Sequence, residues 1–317
     1  MNPTSVCILG GTGFVGRHLV ARLASGGTSC RVLTRNPQRY RDLQTGGLVE
    51  LMKTDPFDAG QLEPALNGCG AAINLVGILN ENGTGNRFHR IHVELGDRLL
   101  DGCRAAGVDR LLHMSALNAN EANGPSLYLK TKGEAENRAL TLGQPQIKVT
   151  SFRPSVIFGH DDSFFNRFAN LLQQLPGPFP LACPDARFAP VYVGDVAEAF
   201  ARALDCRATW GKHYELCGPE SFSLKQLVQY TARQLDRKGP VLGLSDTMSR
   251  VQARLLGLLP GKPFSYDNYL SLQIDSICGQ DGLAELGIDA TPIDAVVPYY
   301  LAGKAERARY QRLRQVI

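Results

Sequence analysis

Ser5-Val6-Cys7-Ile8-Leu9-Gly10-Gly11-Thr12-Gly13-Phe14-Val15-Gly16 stands near the head of the chain, and its reading decides the architecture. Val6 to Leu9 is a continuous apolar run, the pattern of a strand buried on both faces. Gly10, Gly13 and Gly16 follow at G-x-x-G-x-x-G spacing, and Phe14, Val15, Leu19, Val20 and Leu23 then recur at helical period. Strand, glycine turn and helix in that order make a phosphate cradle. Gly10 turns the chain off the strand, Gly13 clears room for a pyrophosphate, and Gly16 lets the helix press on the sheet. Thr12, Phe14 and Val15 complete the turn, whose free N–H groups and helix dipole face the phosphates. This stretch predicts nucleotide binding.

Strands and helices alternate outward from it. Strands are expected at 5–9, 31–34, 48–52, 71–76, 110–115 and 147–152, with helices at 14–25, 37–43, 60–67, 88–106 and 126–142 between them. Apolar strands alternating with helices imply an α/β fold, a doubly wound parallel (Rossmann) sheet covered on both faces. Its ligand lies at the carboxyl ends of the strands. Residues 1–157 are expected to form this dinucleotide-binding domain. Residues 158–317 are expected to form a smaller, interleaved substrate lobe, with elements near 189–217 returning to the first sheet. Ser223 and Gln226 make a capping box for a helix over 223–236, and a leucine-rich helix is expected over 245–259. Glu81 to Asn86 reads as a lid or a connector.

The composition is that of a globular protein, 44% hydrophobic and 20% charged over 317 residues. No apolar run approaches the ~20 residues that span a bilayer, and no signal peptide is evident. The eight cysteines are scattered without a C-x-x-C pair, so reduced thiols and a cytoplasmic location are expected. The net charge of +4 is concentrated at the end: Lys304, Arg307, Arg309, Arg312 and Arg314 outnumber Glu306 by four. The rest of the chain is balanced, which argues against nucleic acid as a partner.

The end of the second strand bears on the cofactor. Enzymes that use NAD usually carry an acid there for the ribose hydroxyls. Here Arg31-Val32-Leu33-Thr34 has none, and Arg35 follows directly with Arg39 nearby. An arginine there pairs with a 2′-phosphate, so NADP(H) is expected in preference to NAD(H). Asp55 either accepts from the adenine amino group or, with Asp58, caps the next helix. Ser115 ends the fifth strand, Tyr128 lies thirteen residues on, and Lys132 four beyond it. Residues i and i+4 share a helical face, so phenol and ammonium project together. The ammonium lowers the phenol pKa from about 10, suiting Tyr128 to general acid–base work on a carbonyl or alcohol that Ser115 holds. His89 and His92 lie three apart on a helix, but no carboxylate or cysteine motif completes a metal site, and none is expected. His113 reads as packed inside a strand. His160, Asp161 and Asp162 contact substrate or cap a helix.

These residues resemble the extended and atypical short-chain dehydrogenase/reductases. The likeness covers the glycine stretch, the Ser115/Tyr128/Lys132 trio, Arg153-Pro154-Ser155-Val156-Ile157-Phe158-Gly159 and Pro190-Val191-Tyr192-Val193-Gly194-Asp195-Val196-Ala197. Ile73-Asn74-Leu75-Val76-Gly77, Tyr128-Leu129-Lys130-Thr131-Lys132 and the Arg153–Gly159 segment are similar to the nucleotide-binding accessory subunit of respiratory complex I and its stand-alone bacterial relatives. That resemblance implies a tightly held NADP(H), with Val76 and Gly77 bordering it and Pro154 to Val156 near the nicotinamide. It also implies quinone metabolism or a membrane complex as the setting. The chain departs from extended enzymes at His92, where they usually carry Asn. Two functions are therefore expected as rivals: an NADP-dependent oxidoreductase, with a nucleotide-sugar epimerase as its variant, and a non-catalytic nucleotide-binding module.

Met248, Val251, Leu255, Leu256, Leu258 and Leu259 recur at helical spacing, with Arg250 and Arg254 on another face. Either these leucines close the small lobe's core, or 245–259 and the basic 304–317 segment touch the inner face of a membrane.

Overall fold

The computed structural model describes residues 5–44, 46–81, 86–175, 177–259 and 262–302. The chain divides into two compact units: the first runs through Pro154 and takes back 193–216 and 279–289, and the second holds 155–192, 217–278 and the segment from Ala290.

The first unit is built on seven parallel strands: β1 (Val6–Leu9), β2 (Cys30–Thr34), β3 (Val49–Lys53), β4 (Ala71–Asn74), β5 (Arg110–Met114), β6 (Lys148–Pro154) and β7 (Lys212–Leu216). They lie in the order β7-β6-β5-β4-β1-β2-β3. The central strands β1, β4 and β5 are buried at every residue, Asn74, Arg110 and His113 included. The helices are α1 (Phe14–Ser25), α2 (Ala59–Leu66), α3 (Leu95–Ala106), α4 (Leu127–Gly143) and α5 (Val193–Asp205). On one face Leu62, Leu66, Leu95, Leu99 and Leu100 pack with Leu9, Leu33 and Ala72 of the sheet. Elsewhere in the unit α1 meets α5, where Glu198 accepts from Arg22 at 2.5 Å and Arg202 at 2.7 Å.

From β1 the chain winds one way into β2 and β3, and the other way into β4 to β7. The order reverses between β1 and β4, which places a crevice at their carboxyl ends. This doubly wound sheet is the one expected. The helix expected over 88–106 is interrupted: a turn at Arg87–His89 widens into a π turn at Arg90–Glu94 before α3 begins.

The second unit has its own core, formed by Phe158, Phe165, Phe179, Leu227, Val228 and Val297. The Ser223–Gln226 capping box is present on the helix Leu224–Gln234. Asp162 takes the capping alternative, accepting from the N–H groups of Phe164 at 2.9 Å and Asn166 at 3.1 Å, and from the Tyr300 hydroxyl at 2.6 Å. The expectation of uniformly reduced thiols is corrected: Cys217 and Cys278, with Cα atoms 6.0 Å apart, form a disulfide. The two cysteines are 61 residues apart, so only folding brings them together. The other six are free, and Cys7, Cys30, Cys69 and Cys103 are buried. Within the lid segment, residues 82–85 lie outside the described residues, as does the basic segment 304–317.

Arg110 is a buried strut of the first unit. Its guanidinium donates to the carbonyls of Ala203 (2.6 Å) and Leu204 (3.2 Å) at the end of α5, to Lys148 O (2.7 Å), and to the hydroxyls of Thr150 (2.8 Å) and Thr209 (3.0 Å). A cation at a helix C-terminus complements the dipole, yet burial still pulls the pKa of Arg110 down to about 10. Replacing Arg110 with Ala leaves several buried acceptors unpaired. It is expected to cost about 3 kcal/mol or more, read as a lower thermal or urea midpoint. An unchanged midpoint would show that these bonds contribute nothing net.

Candidate nucleotide-binding and active site

Gly10 leaves β1 with φ +81°, a conformation open to glycine at little cost. A Cβ there would lie 3.1 Å from the Leu75 carbonyl carbon and 3.2 Å from Val76 N, so the glycine turn and the loop after β4 touch at the strand crossover. A Cβ on Gly16 would meet Gly10 O at 2.3 Å and Gly11 Cα at 2.5 Å. The expectation that Gly16 serves packing is thus refined: it presses α1 against the turn itself. Gly13 is the N-cap of α1, with no side-chain cap and no acidic residue in the first turn. The leading amides of α1 meet no competing anion from their own helix, the donor set a pyrophosphate fits.

Arg35, directly after β2, is exposed and has no hydrogen bond or ion pair among the described residues. Arg17 and Arg39 instead flank the Tyr40 ring at 5.8 and 5.7 Å, and Arg17 pairs with Asp42 at 2.5 Å. Asp55 is exposed and accepts from Phe57 N at 3.0 Å, while Asp58 is the residue that caps α2.

Ser126 caps α4 by accepting from Leu129 N at 3.2 Å, and this starts the helix that carries Tyr128 and Lys132. Lys132 is only 3% exposed. Its ammonium donates to Met114 O at 2.5 Å, and burial pulls its pKa down to about 8 despite nearby Glu136. Gly77 lies against it: a Cβ on Gly77 would sit 3.6 Å from Lys132 Nζ and 3.9 Å from His92 Nε2. Tyr128 is half-buried, its ring 5.6 Å from that of His92 and 6.1 Å from that of Phe88.

Ser115 is held between β5 and β6, its N–H donating to Phe152 O at 2.7 Å. Its hydroxyl donates to Glu136 at 3.1 Å, and the same buried carboxylate takes Arg153 Nε at 2.8 and 3.0 Å. Pro154 ends β6 in the first unit, whereas Val156 belongs to the second, where its carbonyl accepts from Val191 N at 2.9 Å.

Two histidines complete the interior. His92 is 2% exposed, and burial, then the Lys132 charge, pulls its pKa down to about 2. His113 is held near 3 by the same two causes, with Nδ1 3.5 Å from the Asn74 amide nitrogen and Nε2 without a partner. His89 lies elsewhere, 3.5 Å from Glu94 and 3.6 Å from Glu134.

The fold therefore brings together the glycine turn and Val76, then Gly77, Lys132 and His92, then His92 and Tyr128. Sequence reasoning did not single out Thr131, Glu136 or the ion pair of Glu136 with Arg153. Glu136, four residues past Lys132 on the same helical face, carried a usable signal. Arg153 had none, because its partner lies on a different element.

Residues 6–217 match the NAD-dependent epimerase/dehydratase family, and the chain belongs to it. It is 29% identical over 296 residues to the mitochondrial NADH dehydrogenase [ubiquinone] 1 alpha subcomplex subunit 9 of Rattus norvegicus, covering 90% of this chain and 77% of that protein. It is 27% identical over 234 residues to the (4-alkanoyl-5-oxo-2,5-dihydrofuran-3-yl)methyl phosphate reductase of Streptomyces griseus, covering 73% and 74% of the two chains. Its fold is similar to that of an NADPH-dependent quinone oxidoreductase of Escherichia coli solved with NADPH, at a TM-score of 0.72 and 20% identity over 95% of this chain and 99% of that one.

Lys132 links this site to stability. Its folded pKa of about 8 lies below the ~10.4 of an unfolded lysine, so between those values the unfolded chain binds more protons. The nucleotide-free protein should therefore gain stability as pH rises from about 8 to about 10.4, by about 3 kcal/mol from this residue. The gain is read as the difference between wild type and Lys132→Met in denaturant midpoints. A pH-independent difference would mean that Lys132 is not desolvated.

Proposed function

We propose that this protein is an NADP(H)-dependent oxidoreductase of the short-chain dehydrogenase type. The observation that carries the reading is the buried Lys132 ammonium, set against Gly77 and one helical turn from Tyr128. Burying a cation is costly, and a site that keeps one without a direct carboxylate bond has a use for it. Gly10, Thr12, Gly13, Phe14, Val15 and Gly16 would hold the pyrophosphate. Arg35 would meet the 2′-phosphate, Asp55 the adenine, Val76, Gly77 and Lys132 the ribose and its surroundings, and Pro154 and Val156 the nicotinamide. Bound NADP(H) supplies or accepts the hydride. Tyr128 gives or takes the proton at the substrate oxygen, and Lys132 favours its phenolate. Ser115 would hold that oxygen by donating its hydroxyl proton, which it must first withdraw from Glu136. Calorimetry should find NADPH bound more tightly than NADH. Arg35→Ala should narrow that gap by at least about tenfold. Once a carbonyl substrate is in hand, Tyr128→Phe should abolish turnover while sparing cofactor affinity. Equal affinity of the wild type for both nucleotides removes the NADP assignment, and turnover by Tyr128→Phe removes Tyr128.

The second reading, a nucleotide-binding module of a membrane complex, is favoured by the relative named as a complex I subunit. It is also favoured by Ser115, which must release Glu136 before it can donate to a carbonyl. The helix Asp246–Leu256 adds to it: Ser249 and Ala253 are its buried residues, while Met248, Val251 and Leu255 are exposed, followed by exposed Leu258 and Leu259. Arg250 lies 5.8 Å from the Tyr269 ring and Arg254 5.4 Å from the Tyr266 ring. An outward apolar stripe flanked by arginines suits the interface of an anionic membrane, with 304–317 adding its basic charge. Among the described residues no helix is long and apolar enough to cross a membrane. Co-sedimentation with anionic vesicles should fall with salt and with deletion of 304–317. No binding at low salt removes the membrane contact.

A further inference from the structure

Both nitrogens of His92 are committed, and the direction of each bond is determined. Nε2 lies 3.1 Å from Ile78 N, and a backbone N–H only donates, so Nε2 is the unprotonated nitrogen. The proton of the neutral ring is therefore on Nδ1, 2.9 Å from Thr131 Oγ1. The Thr131 hydroxyl sends its own proton to Leu127 O (2.9 Å) or Tyr128 O (3.1 Å), which leaves a lone pair for His92. The run is one-way: Ile78 N–H to His92, His92 to Thr131, Thr131 to the first turn of α4. Phe88 stacks on the ring at 5.4 Å and Tyr128 meets it edge-on at 5.6 Å.

We propose that His92 is a positioning residue of the dinucleotide site: a neutral strut of fixed tautomer that sets the Val76–Gly77 loop at a defined distance from Tyr128 and Lys132. The inference rests on the nucleotide-binding reading above. The strut joins the two elements on which that reading depends, the loop after β4 and α4. His92 Nε2 and Lys132 Nζ both lie against Gly77, 3.9 and 3.6 Å from where its Cβ would be, so a loop released from His92 moves at the lysine too. The same bonds bar the ring from passing protons. Taking a proton at Nε2 breaks the Ile78 bond, and losing one at Nδ1 breaks the Thr131 bond. The titratable groups facing it, Lys132 and Tyr128 from α4 and His113 from β5, include a buried cation that opposes a second charge. The π turn at Arg90–Glu94 holds the ring in this place, a backbone irregularity of the kind found at functional sites.

The test needs the full chain and two measurements. Two-bond ¹H–¹⁵N spectra of the imidazoles should show His92 protonated on Nδ1 alone and unchanged from pH 5.5 to 8.5. The opposite tautomer, or a titration within that range, overturns the strut. His92→Phe keeps the ring packing and deletes both hydrogen bonds, and should weaken NADPH binding about tenfold in calorimetry. His92→Gln, which retains an acceptor for Ile78, should recover most of that loss, and Thr131→Val should reproduce part of it. NADPH affinity in His92→Phe equal to wild type overturns the proposal. If that variant does not fold, Thr131→Val and the spectrum decide. A wild type that binds neither NADPH nor NADH overturns the nucleotide reading itself, a result distinct from a wild type that binds and a Phe variant that binds equally.

Discussion

The close contact between Gly16 and the carbonyl of Gly10 is the constraint on which the site depends. With a Cβ position 2.3 Å from that oxygen, α1 starts directly on the turn that leaves β1, and any larger residue pushes the two apart. Two consequences follow from the geometry. The first amides of α1 are held at the carboxyl end of the sheet with no side chain capping them. The Gly10 turn also lies flush with Leu75 and Val76, so β1 and β4 deliver their loops to one place. The seven-stranded parallel sheet makes this possible, because its order reverses between those two strands.

Around that place the interior holds more charge than a core normally tolerates. Lys132 and Glu136 are buried ionisable groups, Arg153 reaches Glu136 from a partly exposed position, and two neighbouring histidines remain neutral. Glu136 answers Arg153 directly and accepts from the Ser115 hydroxyl, while Lys132 donates to the backbone carbonyl of Met114. Desolvation therefore falls on the lysine, whose pKa drops to about 8, and on both imidazoles. Burying an ammonium whose partner is a neutral carbonyl costs stability.

The second unit follows different physics. Its core mixes aliphatic and aromatic side chains, with Phe164, Phe165 and Phe168 meeting edge to face at ring distances near 5.2 Å, and it carries a disulfide. Against that core, the helix Asp246–Leu256 turns small residues inward and leaves its large apolar side chains outside. An exposed stripe of this kind is informative because large apolar side chains are ordinarily buried.

What the sequence by itself determined is the part that rests on local rules. Apolar runs of four and five residues define buried strands, glycine spacing defines the turn and its conformation, and the i, i+4 rule puts Tyr128 and Lys132 on one face. Those signals sufficed for the parallel doubly wound sheet and for the glycine cradle. Chain-distant pairings belonged to the tertiary structure alone. Cys217 found Cys278, Arg153 found Glu136, and Ile78 and Thr131 found the two sides of His92. The role of a polar side chain depends on which partners burial leaves it. Ser115 reads in sequence as a free hydroxyl at a strand end, and in the folded chain its proton already belongs to Glu136. His92 reads as a departure from a proton-relay position, and in the folded chain it is a neutral ring with both nitrogens occupied. Hydrogen-bond direction and desolvation are set by three-dimensional neighbours, and no spacing along the chain encodes them.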